Sequence, residues 1–156
     1  MPDYERIAEQ LSEQFDATFR PAADSDIAKL EELGVPESVV DFYRDFEPCK
    51  VIEGQVRLWP IERIVEENET LLPGCYTSRL GFVVFASTLS GDAYCFDITR
   101  EAPRDYPPIV LISQDVVGEE TKQGHLYRLA KPIARNLEEF LELFLQGEID
   151  EECIYG

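Results

Sequence analysis

Residues 80–97 read as a β-hairpin, and this stretch constrains the fold more than any other part of the chain. Residues 82–86 form an unbroken apolar run. Such a run is too short for a helix and is typical of a strand buried on both faces. Residues 87–92 hold serine, threonine, glycine and aspartate, which favour a turn. Residues 93–97 form the returning strand and alternate only weakly, so the pair is predicted to lie in the centre of a sheet.

Apolar residues at helical spacing predict further helices towards both ends of the chain. Their ends are marked by proline, glycine and capping side chains. Three helices are predicted in the N-terminal part: residues 3–16, a helix from a cap at Asp24 or Ser25 to Gly34, and a helix from Pro36 to Pro48. A fourth begins at Trp59 and Pro60, continues through Leu72 and ends at Pro73 and Gly74. The last begins at Asn136, which stands in capping spacing with Glu139, and ends at Gly147.

Shorter patterns predict the remaining strands. Residues 50–58 are predicted to form a small hairpin in which Gly54 takes a positive φ. Residues 109–112 are predicted to form a core strand, and residues 126–130 a last strand. The stretches 75–80, 99–108 and 116–123 are predicted to be loops.

Helices at both ends with hairpins between them predict an α+β fold, a mainly antiparallel sheet covered on one face by helices. The chain of 156 residues is predicted to be a single domain, with residues 1–24 as N-terminal helix and linker and residues 148–156 as an acidic tail.

Charge is the most unusual bulk property. The chain carries 32 acidic and 14 basic residues, a net charge of -18. A field of this sign repels nucleic acid and anionic membranes and attracts basic partners, although solubility alone is an alternative reason for it. The sequence has neither a secretory leader nor an apolar run long enough for a membrane span, so a soluble, cytoplasmic protein is expected.

The sequence lacks the common enzyme signatures, the nucleophile elbow and the glycine-rich phosphate loop. His125 is the single histidine, which excludes a multi-histidine metal site. The four cysteines, Cys49, Cys75, Cys95 and Cys153, lie far apart and are expected to be free thiols, Cys95 in the core. No catalysis, cofactor or metal is therefore predicted.

Two catalytic alternatives remain open at this point. Cys75 or Cys95 could act as a nucleophile with His125 as its base. Asp92 and Asp97 flank a predicted strand and could form an acid/base pair, although a turn residue and a strand end explain them as well.

Four motifs follow one another in residues 33–43, 58–61, 81–97 and 136–141. In this order they resemble the SUKH superfamily, which includes the fungal Smi/Knr-type cell-wall regulators and many bacterial proteins. The similarity covers roughly residues 25 to 147. Where the family commonly has Asn-Gly, this chain has Glu47 and Pro48.

The resemblance implies an α+β domain without catalysis. For bacterial members it implies an immunity protein that binds and blocks a toxin, often a nuclease. The expected partner is thus a basic toxin domain, bound through an acidic surface, without nucleic acid or membrane. The alternative, which the fungal branch implies, is a regulatory or scaffold protein that binds cellular partners.

Exposed acids and aromatics around the hairpin are the expected contact residues, because tyrosine anchors interfaces and carboxylates attract basic partners. Trp59 is expected in the core instead. The predicted contact residues are Asp92, Tyr94, Glu66, Glu67, Glu69 and Tyr76.

Overall fold

The computed structural model describes residues 2–99 and 105–154, and within them the chain forms α-helices and short strands. The helices are α1 (Tyr4–Phe15), α2 (Asp24–Glu32), α3 (Glu37–Phe46), α4 (Ile61–Glu69), α5 (Gly74–Thr77), α6 (Gln123–Leu129) and α7 (Leu137–Gln146). The strands are β1 (Phe19–Arg20), β2 (Glu47–Pro48), β3 (Ile52–Glu53), β4 (Arg57–Leu58), β5 (Phe82–Ser87), β6 (Ala93–Asp97), β7 (Ile109–Ile112) and β8 (Lys131–Ala134). Single 3-10 turns span Ser78–Leu80 and Gln114–Val116.

The predicted hairpin is β5 and β6, which form the middle of a six-stranded antiparallel sheet of order β3-β4-β5-β6-β7-β8. Every residue of β5, β6 and β7 is buried. The α+β fold, the central hairpin and the strand at residues 109–112 are thus confirmed.

Helices contact both faces of the sheet, so the expectation that they cover one face is wrong. On one face Phe96 stacks on Phe85, whose ring centroid lies 5.1 Å from that of Phe140 in α7. Phe82 pairs with Asp97, the neighbour of Phe96, and therefore points to the other face. There its ring centroid lies 5.5 Å from that of Tyr127 in α6. The complete burial of β5 and β6 follows from this two-sided cover.

Asn68 of α4 completes β5 at a bulge between Val84 and Ala86. Its Nδ2 donates to the Val84 carbonyl (2.7 Å) and its Oδ1 accepts from the Val84 N–H (2.8 Å). The same Nδ2 also donates to the Ile64 carbonyl at 2.8 Å. Buried backbone groups need partners, so a side-chain amide replaces a strand residue here.

The three N-terminal helices are confirmed, with one correction. Helix α2 begins at Asp24, and Ala23 before it makes no side-chain cap, so the predicted cap at Asp24 or Ser25 is wrong. Gly34 follows this helix with φ +89°, and a Cβ there would lie 2.8 Å from Ile98 Cδ1.

Glu47 and Pro48, where the chain departs from the family pattern, form β2 and pair with β1. The Glu47 carboxylate is buried and accepts from the Ile61 N–H at 3.0 Å and from Arg20 Nε at 3.1 Å. It therefore fixes the first turn of α4, where the helix dipole favours a negative charge.

Two expectations are wrong, one about Gly54 in the small hairpin and one about the end of α4. Gly54 lies in the confirmed small hairpin, but its φ is not positive. It is glycine because a Cβ would lie 2.7 Å from the ring of Phe144 and 2.9 Å from that of Phe15. Helix α4 ends at Glu69, so Leu72 lies beyond it and is 63% exposed instead of continuing the inner face.

The predicted loop at residues 75–80 is instead helix α5 followed by a 3-10 turn. The predicted strand at residues 126–130 is wrong as well, because these residues form the second half of α6 and its C-cap, Ala130. Leu126 and Leu129 are buried three residues apart, which is helical spacing. Of the predicted loop 99–108, residues 100–104 lie outside the described residues.

Helix α7 starts as predicted, with Asn136 Oδ1 accepting from the Glu139 N–H at 2.9 Å. It ends at Gly147, which adopts φ +69°. None of the helices in residues 2–99 and 105–154 is long and apolar enough to span a bilayer.

Candidate protein interface at the tip of the central hairpin

The hairpin tip, residues 88–92, is closed by Thr88. The Thr88 N–H donates to the Asp92 carbonyl at 2.9 Å, and the Asp92 N–H donates to Thr88 Oγ1 at 3.0 Å. The Gly91 N–H donates to the Thr88 carbonyl at 3.1 Å. Serine, threonine, glycine and aspartate thus have the turn roles that their types predict.

Gln114 fastens the tip from the neighbouring 3-10 turn. Its N–H donates to Asp92 Oδ1 at 3.1 Å, and its Nε2 donates to the Ser90 carbonyl at 2.8 Å. Gly91 has φ +103°, and a Cβ there would lie 2.8 Å from Gln114 Nε2. The tip therefore presents its side chains from a fixed backbone.

A cleft of ≈ 340 Å³ lies beside the tip, between the small hairpin and α4. The Trp59 side chain is buried, as expected, and the Arg63 guanidinium carbon lies 5.6 Å from its ring centroid, a cation–π contact. The cleft is lined by Val51, Glu53, Arg57, Trp59, Arg63, Glu67, Leu72, Ser87, Gly91 and Gln114.

Glu67 is not an exposed acid, contrary to expectation. Its side chain is 9% exposed, and its Oε1 lies 2.6 Å from Arg63 Nη2. Burial raises the pKa of its carboxyl group and Arg63 lowers it, with burial the larger effect. Glu67 therefore holds Arg63 over Trp59 and offers a partner little free charge.

The C-terminal segment, residues 148–154, is held by Gln55 of the small hairpin and by Lys131 of β8. Gln55 Oε1 accepts from the Ile149 N–H at 2.9 Å, and Gln55 Nε2 donates to the Ile149 carbonyl at 2.6 Å. Lys131 Nζ donates to the Glu152 carbonyl and pairs with Asp150 Oδ2, both at 2.8 Å. Ile149 itself is 4% exposed.

Tyr94 is covered by this segment, so its expected exposure is wrong. Its relative exposure is 0%, and its hydroxyl donates to the Asp150 carbonyl at 2.9 Å. Its ring centroid lies 5.2 Å from that of Phe140. Burial, followed by the charges of Glu151 and Asp150, raises the pKa of its hydroxyl. Tyr94 anchors the segment and does not itself reach a partner surface.

Carboxylates surround the place where the segment meets the tip. Asp92 and Asp115 both act on the pKa of the Cys153 thiol, which places this part of the segment near the tip. Burial, then the charge and hydrogen bond of Asp92, raises the pKa of the Cys153 thiol to about 12. Asp92 is half-buried, whereas Asp115, Glu151 and Glu152 are exposed. The predicted acidic tail and the predicted hairpin acids thus meet at one place.

Three exposed apolar side chains, Leu72, Leu89 and Ile154, lie in the tip, in the cleft beside it or in the C-terminal segment. The exposed large hydrophobic residues among those described are Leu72 (63%), Leu89 (56%), Ile154 (46%) and Tyr106 (40%). Leu89 lies in the tip itself, Leu72 lines the cleft that Gly91 also lines, and Ile154 follows Cys153. Apolar side chains within a polar rim are the usual composition of a protein interface.

The other predicted contact residues lie elsewhere on α4 and α5. Glu66 is exposed and lies 3.7 Å from Arg63 Nη1. Glu69 lines a separate groove of ≈ 530 Å³ beside Cys75. Tyr76 is half-buried, with the guanidinium carbon of Arg79 5.6 Å from its ring centroid. Of these three residues, Glu69 alone lines the second groove, whereas Glu66 lies beside Arg63 of the cleft at the tip.

The catalytic alternatives receive no support from the geometry. Cys95 is fully buried, and burial raises the pKa of its thiol, which opposes thiolate formation. The groove that contains Cys75 is not lined by His125, which is exposed on α6. Asp92 and Asp97 lie at opposite ends of β6, roughly 16 Å apart at strand rise, too far for one reaction centre.

Within residues 2–99 and 105–154, no group of three or more His, Cys, Asp or Glu side chains is arranged to hold a metal ion. All four cysteines are free, as expected.

Gln55, Gln114 and Lys131 build the site but were not singled out from the sequence. Each acts on residues far along the chain, Gln55 on Ile149 for example, and nothing in the local sequence marks such a contact.

Comparison with known proteins gives one family. The chain matches the model of the SMI1 / KNR4 family (SUKH-1) over residues 21–143. No curated protein matches the chain. Gln55, Tyr94, Gln114 and Lys131 lie within the matched range, and the C-terminal segment lies outside it.

Proposed function

Since the chain belongs to the SMI1/KNR4 family (SUKH-1), we propose that it is a non-enzymatic, cytoplasmic protein-binding domain that acts as an immunity protein. It neutralises a cognate toxin by binding it directly through an acidic surface. The binding surface consists of the hairpin tip and the C-terminal segment.

One observation carries this proposal: the hydrogen bond from Tyr94 to the Asp150 carbonyl holds the segment with exposed Glu151 and Glu152 against β6, the strand that directly follows Asp92. Lys131 is also near, but its charge is compensated by Asp150 at 2.8 Å. The remaining carboxylates are available to attract positive charge on a partner.

A nuclease is the toxin class that fits this chemistry best. Its substrate cleft must be basic to hold phosphates, and carboxylates on a rigid surface can occupy such a cleft in their place. The net charge of -18 adds long-range attraction, which raises the association rate at low salt.

Leu72, Leu89 and Ile154 supply the apolar part of the surface, since all three are exposed and belong to the cleft, the tip and the segment respectively. Buried apolar anchors carry most of the affinity in protein interfaces, whereas charges at the rim act mainly on association rate. We therefore expect the apolar anchors to determine how long the complex lasts.

A tagged pull-down from the native cell lysate at low and at high salt tests this function. The expected result is capture of a basic toxin domain at low salt and its loss at high salt. Asp92→Asn/Asp115→Asn should reduce capture, whereas Glu5→Gln/Glu9→Gln, which removes the same charge from exposed positions on α1, should not. Capture that is indifferent to salt and to both variants would contradict the acidic-surface mechanism.

A second candidate function is that of a regulatory or scaffold protein of Smi/Knr type, favoured by the match to the SMI1/KNR4 model. In that case the same pull-down should return housekeeping proteins of the cell, and no toxin domain.

A further inference from the structure

The C-terminal segment is held mainly through its backbone. The Ile149 N–H and carbonyl bind Gln55, the Asp150 carbonyl binds Tyr94, and the Glu152 carbonyl binds Lys131. Backbone groups are present whatever the side chains are. The sheet therefore holds this stretch largely independently of its sequence, as an added strand is held at a sheet edge.

The side chains of Ile149, Asp150 and Cys153 also fix the segment, since Cys153 packs against the core. Ile149 is buried at 4% exposure, and Asp150 pairs with Lys131. Glu151, Glu152 and Ile154 are exposed, although Glu151 also accepts from Gln55 Nε2 at 3.0 Å. Glu151, Glu152 and Ile154 can therefore change without loss of a buried contact.

The anchoring residues lie in the part of the chain that matches the family model, and the segment lies beyond it. Gln55, Tyr94 and Lys131 lie within the matched residues 21–143. The core thus provides a fixed receptor, and the residues that follow it provide a surface of their own next to the hairpin tip.

From this arrangement we infer that Glu151, Glu152 and Ile154 are the specificity-determining residues of the interface. Gln55, Tyr94 and Lys131 position them by binding the backbone of the segment. The inference rests on the proposed function. The partner it requires has lysine or arginine side chains opposite the two glutamates and an apolar depression that accepts Ile154. Charge complementarity supports this choice, because Glu151 and Glu152 extend the carboxylates of the tip.

Docking of the segment can be tested without a partner. Gln55→Leu removes both hydrogen bonds to Ile149 and should release the segment, which exposes Cys153. Alkylation of Cys153 by iodoacetamide at pH 8, relative to exposed Cys49, should then become at least about tenfold faster. Lys131→Met should act in the same direction, and urea unfolding shows whether each variant is folded. An unchanged relative rate in both folded variants would overturn the docking.

Specificity is tested with the protein that the wild-type chain captures at low salt. Glu151→Gln/Glu152→Gln should slow association with it roughly fivefold, and Ile154→Ser should speed dissociation. Glu5→Gln/Glu9→Gln is the matched control and should change neither rate.

The outcomes separate this inference from the proposed function. Binding that is weakened by Asp92→Asn/Asp115→Asn but unaffected by changes at Glu151, Glu152 and Ile154 would overturn the inference and leave the proposed function in place. A wild-type chain that captures no basic protein would overturn both.

Discussion

The two ends of the central hairpin use polar groups in different ways. At the root, residues 81–85 and 95–99, buried Asp97 accepts from the Thr99 N–H at 3.0 Å and from Thr99 Oγ1 at 2.7 Å. At the tip, the bond from Gln114 to Asp92 is exposed, and Asp115, Glu151 and Glu152 nearby are exposed carboxylates. Polar groups at the root are satisfied inside the protein and stabilise the fold. Those at the tip remain available to a partner.

The largest difference between the two ends is expected for the amide side chains. Asn68→Leu leaves the buried N–H and carbonyl of Val84 without partners, which should lower the free energy of unfolding by about 3 kcal/mol. Gln114→Leu should cost less than about 1 kcal/mol, because its partners at the tip can bind water. Urea unfolding followed by circular dichroism measures both. Equal losses would remove the distinction between root and tip.

The aspartates at the two ends provide a smaller contrast. Asp97→Ala should lower the free energy of unfolding by about 2 kcal/mol, because buried donors of Thr99 lose their acceptor. Asp92→Ala should cost less than about 1 kcal/mol but should weaken partner capture. Binding per folded molecule should be unchanged in Asp97→Ala. Weakened capture by folded Asp97→Ala would show that the root also contributes to the interface.

The smallest effect concerns the pH dependence of the C-terminal segment. The hydrogen bond from Lys131 lowers the pKa of the Asp150 carboxyl group below its ordinary value. The pair therefore stabilises docking above the unfolded pKa, and this contribution is lost as the pH falls through the lowered pKa. In Lys131→Met the pKa of Asp150 should rise towards its ordinary value, as NMR titration of the carboxyl carbon can show. An Asp150 pKa that the substitution leaves unchanged would exclude Lys131 as the cause.

Local patterns in the sequence were enough to predict most of the fold. The apolar run in residues 82–86, its turn and its returning strand identify the hairpin without any distant contact. Asn136 and Gly147 likewise define α7 through capping interactions that involve only neighbouring residues. The errors fall where a short window is ambiguous, as at Leu126 and Leu129, whose spacing is that of α6.

The candidate site could be predicted only in part, because distant contacts create it. Tyr94 reads as an exposed hairpin residue until the segment around Asp150 covers it, 56 residues later in the chain. Glu67 reads as one acid among several on α4, and only the fold shows that it is buried against Arg63. The acidic character of the surface was evident from composition, and its position was not.

Hydrogen–deuterium exchange of the complex with the captured partner tests most directly whether the tip is the binding end. Binding should slow exchange at residues 88–92, 114–116 and 149–154, and leave residues 122–129 beside the root unchanged. Protection at residues 122–129 without protection at the tip would contradict the account.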